Sequence, residues 1–363
     1  MRNVEILDTT LREGEQTPGV TFSIREKLEI AAMLDDFGVD FIEAGHPAVS
    51  PDIARAVKEI SEMGLKAKVV AHSRSMRSDI DEILKTNAKW VGIFFSVSDK
   101  RLESHFRKNL DEALGLVGDV VSYAKNHGLK VRYTPEDTIR SPLDNVIRVS
   151  RAAVSAGADR ISVADTVGAG TPQKVHNFVW ALKQNVQVPL HIHCHNDLGL
   201  ALANSLAAFE AGASVIDTCV NGLGERTGIT DLSQLVLALR THYGVEKDWK
   251  YSMLTSLSEK VENCSNMKVS PQAPIVGSNA FRHNAGLHVS GVFANPEHYE
   301  VFPAELIGRK REFHLDKMAG KHHLEFHARE KGITLGEEQK NRMLAHLKSL
   351  EKGHATFEEL LEL

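Results

Sequence analysis

The chain has 363 residues, of which 42% are hydrophobic and 25% are charged, as in an ordinary globular protein. Its formal net charge of −5 provides no basic field for nucleic acid or an anionic membrane, so we expect neither as a partner and favour a small-molecule substrate. Three cysteines are too few for a disulfide framework or a thiolate zinc cluster. The N-terminus lacks a signal-type apolar core, and no run approaches the roughly 20 apolar residues of a membrane span, so we expect a soluble, cytoplasmic protein.

Short β-branched or aromatic runs alternate with longer amphipathic stretches along the first two thirds of the chain. Apolar residues return every three or four positions in residues 27–34 and 143–154, as on one face of a helix. Eight β/α repeats match the size of a TIM barrel, so the pattern predicts an α/β (β/α)8 fold. An open doubly wound sheet is the alternative, but it would gather ligands at one switch point. The eight predicted strands are residues 4–7, 39–44, 67–71, 90–95, 130–133, 160–164, 190–193 and 215–220.

The βα rhythm stops after about residue 239, and from Pro271 onward the chain is rich in proline, glycine and histidine before a helix-like tail over residues 340–363. We therefore predict a catalytic barrel domain over residues 1–258. Residues 259–363 are predicted to form a linker and a small, mostly helical subdomain. Its histidines suggest that it covers an active site, that of the partner subunit.

His193 and His195 stand two positions apart at the end of a predicted strand, where alternate residues share a face. Two imidazoles on one face can bind a divalent cation and leave other positions open to substrate. Histidine-rich stretches also occur on solvated strands, and the chain has 18 histidines, so the motif alone is weak. It is strengthened by the segment DTTLREGEQ at residues 8–16, which places a carboxylate and an arginine after the first strand.

Polar residues follow most of the other predicted strands as well. In a TIM barrel the catalytic groups gather at the C-terminal ends of the strands, so these side chains are expected to share one site. They are Arg12 and Glu13 after the first strand, Glu43 and His46 after the second, His72 after the third, Arg132, Thr134 and Glu136 after the fifth, Asp165 and Thr166 after the sixth, and His193 and His195 after the seventh.

Seven motifs in this order resemble those of the acyl-CoA-dependent 2-alkylmalate synthases, the Claisen-condensing family that includes isopropylmalate, citramalate and homocitrate synthases. The resemblance covers nearly the whole chain. The motifs are DTTLREGEQ (8–16), EDTIRS (136–141), ADTVG (164–168), HCHNDLG (193–199), NGLGERTG (221–228), FRHNAGLH (281–288) and NPEHYE (295–300).

The resemblance implies that Glu13, His193 and His195 are ligands of a divalent metal ion, with Mg²⁺, Mn²⁺, Co²⁺ and Zn²⁺ all compatible with this mixed set. A 2-oxo acid would chelate the ion through its carboxylate and keto oxygen, and the polarised carbonyl would be attacked by the enolate of the co-substrate acetyl-CoA. Arg12 and Thr166 are then placed to hold that carboxylate and the developing alkoxide.

Deprotonation of the thioester methyl group needs a positioned base. The family pattern implicates the histidine of the glycine-histidine motif and a tyrosine shortly after it, here His288 and Tyr299. A structural loop histidine is the competing interpretation of His288. Glu136 is the other candidate, either as the base or as the group that orients water for hydrolysis of the condensed thioester, and we rank His288 first.

The choice of oxo acid depends on the residues around its distal end. By resemblance, His72, Arg132 and Thr134 match the homocitrate synthase pattern for binding a second carboxylate. Buried Arg and His would be unfavourable around an isopropyl group but would pair well with a dicarboxylate. We therefore expect 2-oxoglutarate as substrate and homocitrate as product, at the entry to lysine biosynthesis by the aminoadipate route. The TGIT run at residues 227–230 agrees, since isopropylmalate synthases usually carry Asn where Ile229 stands.

One segment departs from this pattern. EAGHPA at residues 43–48 is closer to the isopropylmalate and nitrogen-fixation homocitrate versions, and it leaves His46 as either a pocket residue or a loop histidine. Isopropylmalate or citramalate synthase therefore remains the alternative, and a metal-dependent lyase or aldolase of the same barrel superfamily is a more distant one. The resemblance also implies a homodimer.

Overall fold

A computed structural model describes residues 4–363 of the chain. These residues form two compact units: the first contains residues up to Lys250 together with Leu257–Lys268, and the second contains Tyr251–Ser256 with Val269–Leu363. The predicted domain boundary at 258/259 falls within the segment that returns to the first unit. Across residues 4–363, no helix combines the length and apolarity needed to cross a membrane.

The first unit contains a closed eight-stranded barrel in which each strand pairs with the next and the last pairs with the first, all in parallel. This confirms the predicted TIM barrel. The strands are β1 (Glu5–Asp8), β2 (Phe41–Gly45), β3 (Lys68–Arg74), β4 (Trp90–Ser96), β5 (Lys130–Glu136), β6 (Arg160–Asp165), β7 (Leu190–Cys194) and β8 (Val215–Thr218).

Helices connect the strands and continue beyond the barrel. They are α1 (Ile24–Phe37), α2 (Pro51–Glu62), α3 (Arg77–Leu84), α4 (Asp99–Arg101), α5 (Leu110–Asn126), α6 (Leu143–Ser155), α7 (Pro172–Lys183), α8 (Ala201–Glu210), α9 (Leu232–Tyr243) and α10 (Leu254–Ser265). A π-helical turn, Leu102–Phe106, follows α4, and 3₁₀ turns cover Gly14–Gln16, Thr138–Arg140, Val220–Gly222 and Tyr251–Met253.

Local sequence signals set the ends of the first helix. Ser23 and Glu26 form a reciprocal capping box that satisfies free N–H groups at the start of α1. Gly38 ends the helix with a φ of 106°, a left-handed conformation that glycine adopts without a Cβ clash. Between these ends, Ile30 and Leu34 are buried against the barrel unit, as the helical period predicts.

Strand alternation decides which polar side chains reach the barrel mouth. β5 runs three residues beyond its predicted end, so Arg132, Thr134 and Glu136 share one face of the same strand. In β7 the same alternation places His191 and His193 on one face. The C-terminal ends of the strands therefore present these groups to a common space, as expected for this fold.

The second unit is mostly helical, as predicted. It contains a short parallel pair, β9 (Arg282–His283) with β10 (Glu312–Phe313), and the helices α11 (Gly286–Ala294), α12 (Lys321–Glu330), α13 (Glu337–Ser349) and α14 (Phe357–Leu361), with 3₁₀ turns at Pro296–His298 and Ala304–Ile307. Leu324, Met343, Leu347, Phe357 and Leu360 are the largest members of its apolar core.

Candidate active site

Glu13, His193 and His195 lie together in the first unit and are all buried, and they form a group that could hold a metal ion. Their potential ligand atoms all lie within 4.8 Å of one another. The two Nε2 atoms are 3.3 Å apart, and each lies 3.9 Å from an oxygen of Glu13. The two histidines and the carboxylate that follows the first strand therefore lie together, as expected from the sequence.

This geometry fits a single divalent cation. Ligand atoms at about 2.1 Å from a shared ion stand about 3 Å from one another, close to the separation of the two Nε2 atoms. The donors are a carboxylate and two imidazoles, a set accepted by Mg²⁺, Mn²⁺, Co²⁺ and Zn²⁺. Three protein ligands leave coordination positions for a chelating substrate.

The surroundings favour the protonation states that metal binding requires. Burial would raise the pKa of Glu13, but the charges of Arg12, His193 and His195 outweigh it and lower that pKa to about 2. Burial, reinforced by His193, lowers the pKa of His195 to about 3. An ionised carboxylate and a neutral imidazole are therefore the native forms at neutral pH.

The loop over residues 221–228 holds Glu13 in place. The backbone N–H of Glu225 donates to Glu13 Oε1 at 3.0 Å. Gly224, at a φ of 151°, lies so close that a Cβ there would stand 3.1 Å from Glu13 Cγ. The family-like NGLGERTG motif thus has a physical role as a backbone support of the proposed ligand.

A buried carboxylate, Glu43, gathers the charged groups beside this centre. It accepts hydrogen bonds from Arg12 Nε at 2.6 Å, Arg132 Nη2 at 2.7 Å and Thr9 Oγ1 at 2.7 Å, and lies 3.1 Å from His72 Nδ1. Burial opposes ionisation of Glu43, but Arg12 and Arg132 hold its pKa well below the usual range. Glu43 therefore fixes the two arginines relative to each other.

Arg132 is 3% exposed and is held from two sides. Besides Glu43, it pairs with Asp217, whose Oδ2 lies 3.3 Å from Arg132 Nη1. Arg132 Nε has no hydrogen-bond partner within residues 4–363. Gly92 on β4 makes room for the guanidinium, because a Cβ at that position would lie 2.5 Å from Nη2. The side chain predicted to bind a carboxylate of the substrate is thus already anchored by two carboxylates of the protein.

His72 lies next to this arginine pair and stacks on Phe94, with ring centroids 5.0 Å apart. Burial, together with the charge of Arg12, lowers the pKa of His72 to about 4, so the ring is neutral at physiological pH. It can therefore recognise an anion by hydrogen bonding and adds no second positive charge.

Glu136 on β5 and Thr166 after β6 line the same cavity as these residues. Glu136 forms an ion pair at 2.7 Å with Arg101, which stands just before the π-helical turn. Burial raises the pKa of Glu136, and Arg101 opposes that effect. Thr166 Oγ1 accepts from the N–H of Asp137 at 2.8 Å, so its own hydroxyl hydrogen is available to another acceptor.

Two cavities meet at Arg12. The smaller, of about 280 Å³, is lined by the metal-ligand candidates and by all the barrel residues assigned to substrate: Arg12, His72, Arg132, Thr134, Glu136 and Thr166. The larger, of about 900 Å³, has apolar walls that include Val20, Phe22 and Ile53. His46 lines the larger cavity and is held by Asp79 at 2.9 Å, so it is a pocket residue.

His288 and Tyr299 belong to the second unit. Their rings stack with centroids 4.3 Å apart, and Tyr299 is 44% exposed. The two residues that the family pattern links are therefore neighbours, and both sit on or next to α11 and the 3₁₀ turn that follows it.

Sequence reasoning missed the roles of Glu43, Asp217 and Arg101. Asp217 is a lone acidic residue inside the apolar run of β8, and such a buried charge needs partners, which was a usable signal. Arg101 follows β4, and no candidate site residue is predicted after this strand. Glu43 was recognised as a strand-end residue, but its pairing with two arginines was not.

Asp8, at the end of β1, provides a test of stability against pH. Burial raises its pKa to about 7, although Thr10 and Thr218 donate hydrogen bonds to it. The folded state therefore holds the proton more tightly than the unfolded chain, so the stability from the neutral carboxyl is complete below about pH 4 and is lost as the pH rises through about 7.

Asp8→Asn is therefore expected to increase the free energy of unfolding, relative to wild type, more at about pH 8.5 than at about pH 5, by up to about 3 kcal/mol, since each of the roughly two pH units between 5 and the folded pKa of about 7 contributes about 1.4 kcal/mol. Urea unfolding at the two pH values measures this difference. Asp52→Asn, at an exposed position on α2, is the control and should show no such pH dependence. An equal effect of Asp8→Asn at both pH values would contradict the assignment.

Comparison with known proteins agrees with the fold. Residues 3–261 match the family model described as HMGL-like. The HMG-CoA lyase of Bacillus subtilis superposes with a TM-score of 0.68 over 76% of this chain and 97% of that chain, at 23% identity. That of Pseudomonas aeruginosa gives 0.64 over 74% and 95%, at 22% identity. The chain thus belongs to the HMGL-like family, and the superpositions show the same TIM-barrel fold.

Residues 275–355 match a second model, described as homocitrate synthase post-HMGL domain-like. A homocitrate synthase of Pyrococcus abyssi is 49% identical over 90% of this chain and 90% of its own length. One from Saccharolobus islandicus is 45% identical over 96% of this chain and 77% of its own. The chain belongs to the homocitrate synthase family, which confirms the resemblance drawn from its motifs.

Proposed function

We propose that this protein condenses acetyl-CoA with 2-oxoglutarate to give homocitrate and CoA, as the first step of lysine biosynthesis by the aminoadipate route. The observation that carries the proposal is one small cavity in which the candidate metal ligands meet Arg12, His72, Arg132 and Thr134. At about 280 Å³ it suits a small ligand, being near the lower end of the usual range of about 300–1,000 Å³. The names of the relatives support this oxo acid over those of isopropylmalate or citramalate synthases.

Binding of the reacting end of the oxo acid is assigned to the metal ligands and two neighbours. A divalent cation held by Glu13, His193 and His195 would polarise the keto group. Arg12 supplies a positive charge fixed by Glu13 and Glu43, and the Thr166 hydroxyl supplies a hydrogen-bond donor. These two groups would stabilise the C1 carboxylate and the negative charge that develops on the keto oxygen.

Binding of the distal carboxylate is assigned to His72, Arg132 and Thr134. Burial of a second carboxylate is favourable only where it finds hydrogen-bond donors and positive charge. Arg132 offers its Nε–H, which has no hydrogen-bond partner among residues 4–363. Because its other nitrogens are held by Glu43 and Asp217, this donor is preorganised and loses little freedom on binding.

The acetyl-CoA side is assigned to the larger cavity, whose apolar walls would accept the pantetheine arm and which reaches Arg12. His288, next to Tyr299, is the proposed base that removes a proton from the thioester methyl group. The resulting carbanion would form the new bond to C2 of the oxo acid, and water would then release CoA. Glu136 supports either step, since burial raises its pKa and a carboxyl group with a raised pKa is a better proton acceptor.

We also propose a homodimer in which the second unit of one subunit covers the barrel of the other, as the family resemblance implies. The three cysteines are unpaired, which is in keeping with a reducing cytoplasm. Light scattering of the purified protein checks the mass of the assembly.

An oxo acid panel tests the proposed function. We expect thiol release from acetyl-CoA with 2-oxoglutarate at a kcat/KM at least about 100-fold above that with pyruvate or 2-oxoisovalerate, because donors built for a second carboxylate stay unpaired when it is missing. Mass spectrometry should identify homocitrate, and acetyl-CoA without oxo acid gives the background rate. Faster turnover of pyruvate or 2-oxoisovalerate would overturn the oxo acid but not the reaction class. If none of the oxo acids gave thiol release, the proposal that the protein is a synthase would be overturned.

A further inference from the structure

Asp217 on β8 connects the candidate metal centre to the barrel interior. Its side chain is 1% exposed. Oδ2 lies 3.2 Å from His193 Nδ1 and 3.3 Å from Arg132 Nη1, and Oδ1 lies 3.3 Å from His191 Nδ1. One carboxylate therefore contacts a proposed metal ligand, a second buried imidazole and the buried arginine.

The partners of His191 determine where its proton sits. Arg160 Nη1 lies 3.4 Å from His191 Nε2, and an arginine can only donate. Nε2 of His191 is therefore the acceptor, and its proton resides on Nδ1, which faces Asp217. His191 Nδ1–H therefore donates a hydrogen bond, and Asp217 Oδ1 accepts it.

The same reasoning extends to His193. Asp217 forms an ion pair with Arg132, so its oxygens only accept, and His193 must present Nδ1–H to Oδ2. Its Nε2 is then left with a lone pair, and this is the atom that faces His195 and Glu13. His195 has no such support for its ring, because its Nδ1 has no hydrogen-bond partner among the described residues 4–363.

We propose that Asp217 is a positioning residue that fixes the tautomer and the ring orientation of His193 for cation binding, with Arg132 and the Arg160–His191 pair holding the carboxylate in place. The inference rests on the proposed function of the Glu13, His193 and His195 group as a metal site. A carboxylate of this kind orients a metal-bound imidazole and increases its basicity.

Metal affinity in the absence of substrates tests the proposal. Isothermal titration of the metal-free protein with Co²⁺ should give a Kd that is about 10- to 100-fold weaker for Asp217→Asn than for wild type. Asp231→Asn is the matched control, a buried carboxylate after the neighbouring end of β8 that caps α9 and contacts Ser233 and Gln234. It should bind Co²⁺ as wild type does, and circular dichroism checks that both variants are folded.

The outcomes separate the two levels of inference. Equal Co²⁺ affinity of Asp217→Asn and wild type would overturn the role of Asp217 and leave the metal site standing. Absence of Co²⁺ binding by wild type would overturn both. A similar loss in Asp231→Asn would overturn the specific role, because it would show that any buried carboxylate near the barrel end has this effect.

A measurement on the wild-type sequence reads the tautomer of His193 directly. In metal-free protein with ¹⁵N-labelled histidine, the ring nitrogens of His193 should show the Nδ1–H tautomer, with their signals identified by their loss in His193→Gln. A carboxylate that made no hydrogen bond with His193 Nδ1 would not impose this tautomer. Protonation of His193 on Nε2 instead would overturn the proposal.

Discussion

Replacement of His195 by alanine is expected to remove stoichiometric metal binding and to lower kcat by about three orders of magnitude, which corresponds to about 4 kcal/mol of lost activation by the cation. Only Glu13 and His193 would remain as protein ligands within reach of one ion among the residues that the structure describes. Among the described residues His195 Nδ1 has no hydrogen-bond partner, so the substitution removes only the contacts of Nε2 with the other two candidate ligands. Elemental analysis of dialysed protein and the thiol-release rate measure the two effects.

His242→Ala is the control for this substitution, since His242 is exposed in the last turn of α9. It should retain the wild-type metal content and rate. A His195→Ala protein that still carried one metal ion per chain would contradict the assigned ligand set. Full metal binding combined with lost activity would instead move His195 from metal binding to another role in the reaction.

Replacement of Arg132 by methionine is expected to lower the free energy of unfolding by about 3–5 kcal/mol, because it leaves the buried carboxylates of Glu43 and Asp217 without their shared cation. Urea unfolding followed by circular dichroism measures this loss. Removal of Arg132 would therefore affect all oxo acids through stability as well as the dicarboxylate through recognition. Rates of such a variant are comparable only under conditions in which it is fully folded.

Arg55→Met is the matched control, since it removes an exposed arginine that pairs with Glu59 one turn away on α2, and it should change stability by less than about 1 kcal/mol. Adding Glu43→Gln to Arg132→Met should restore part of the lost stability by removing one uncompensated charge. A single Arg132→Met variant as stable as wild type would show that the buried network does not depend on this cation.

The barrel and the metal-ligand set were predictable because both follow from short-range patterns and a rule of the fold. Alternation along β7, continued to His195 one residue beyond the end of the strand, placed His193 and His195 on one face, and the rule that strand ends converge in a parallel barrel placed Glu13 beside them. Even the error in the end of β5 was harmless, because Arg132, Thr134 and Glu136 keep their common face when the strand is three residues longer.

The exact partners of the polar side chains were not predictable in this way. His46 was undecided between a pocket and a loop until the structure placed it on the wall of the larger cavity. Glu136 was recognised as a candidate, but its ion pair with Arg101 depends on the path of α4 and the π-helical turn after β4. Such contacts arise between different βα loops, whose conformations carry little periodic signal.

The sequence by itself determined the eight-stranded barrel, the helical second unit, the family, and a carboxylate with two imidazoles at the strand ends. Only the tertiary structure decided how the buried charged side chains next to these groups pair. Glu43 lies between Arg12 and Arg132, and Asp217 lies between Arg132 and His193. The physical reason is distance along the chain: Arg132 is separated by 89 residues from Glu43 and by 85 from Asp217. Periodicity reports which face a residue takes, whereas the pairing of buried charges depends on the distances that barrel closure sets.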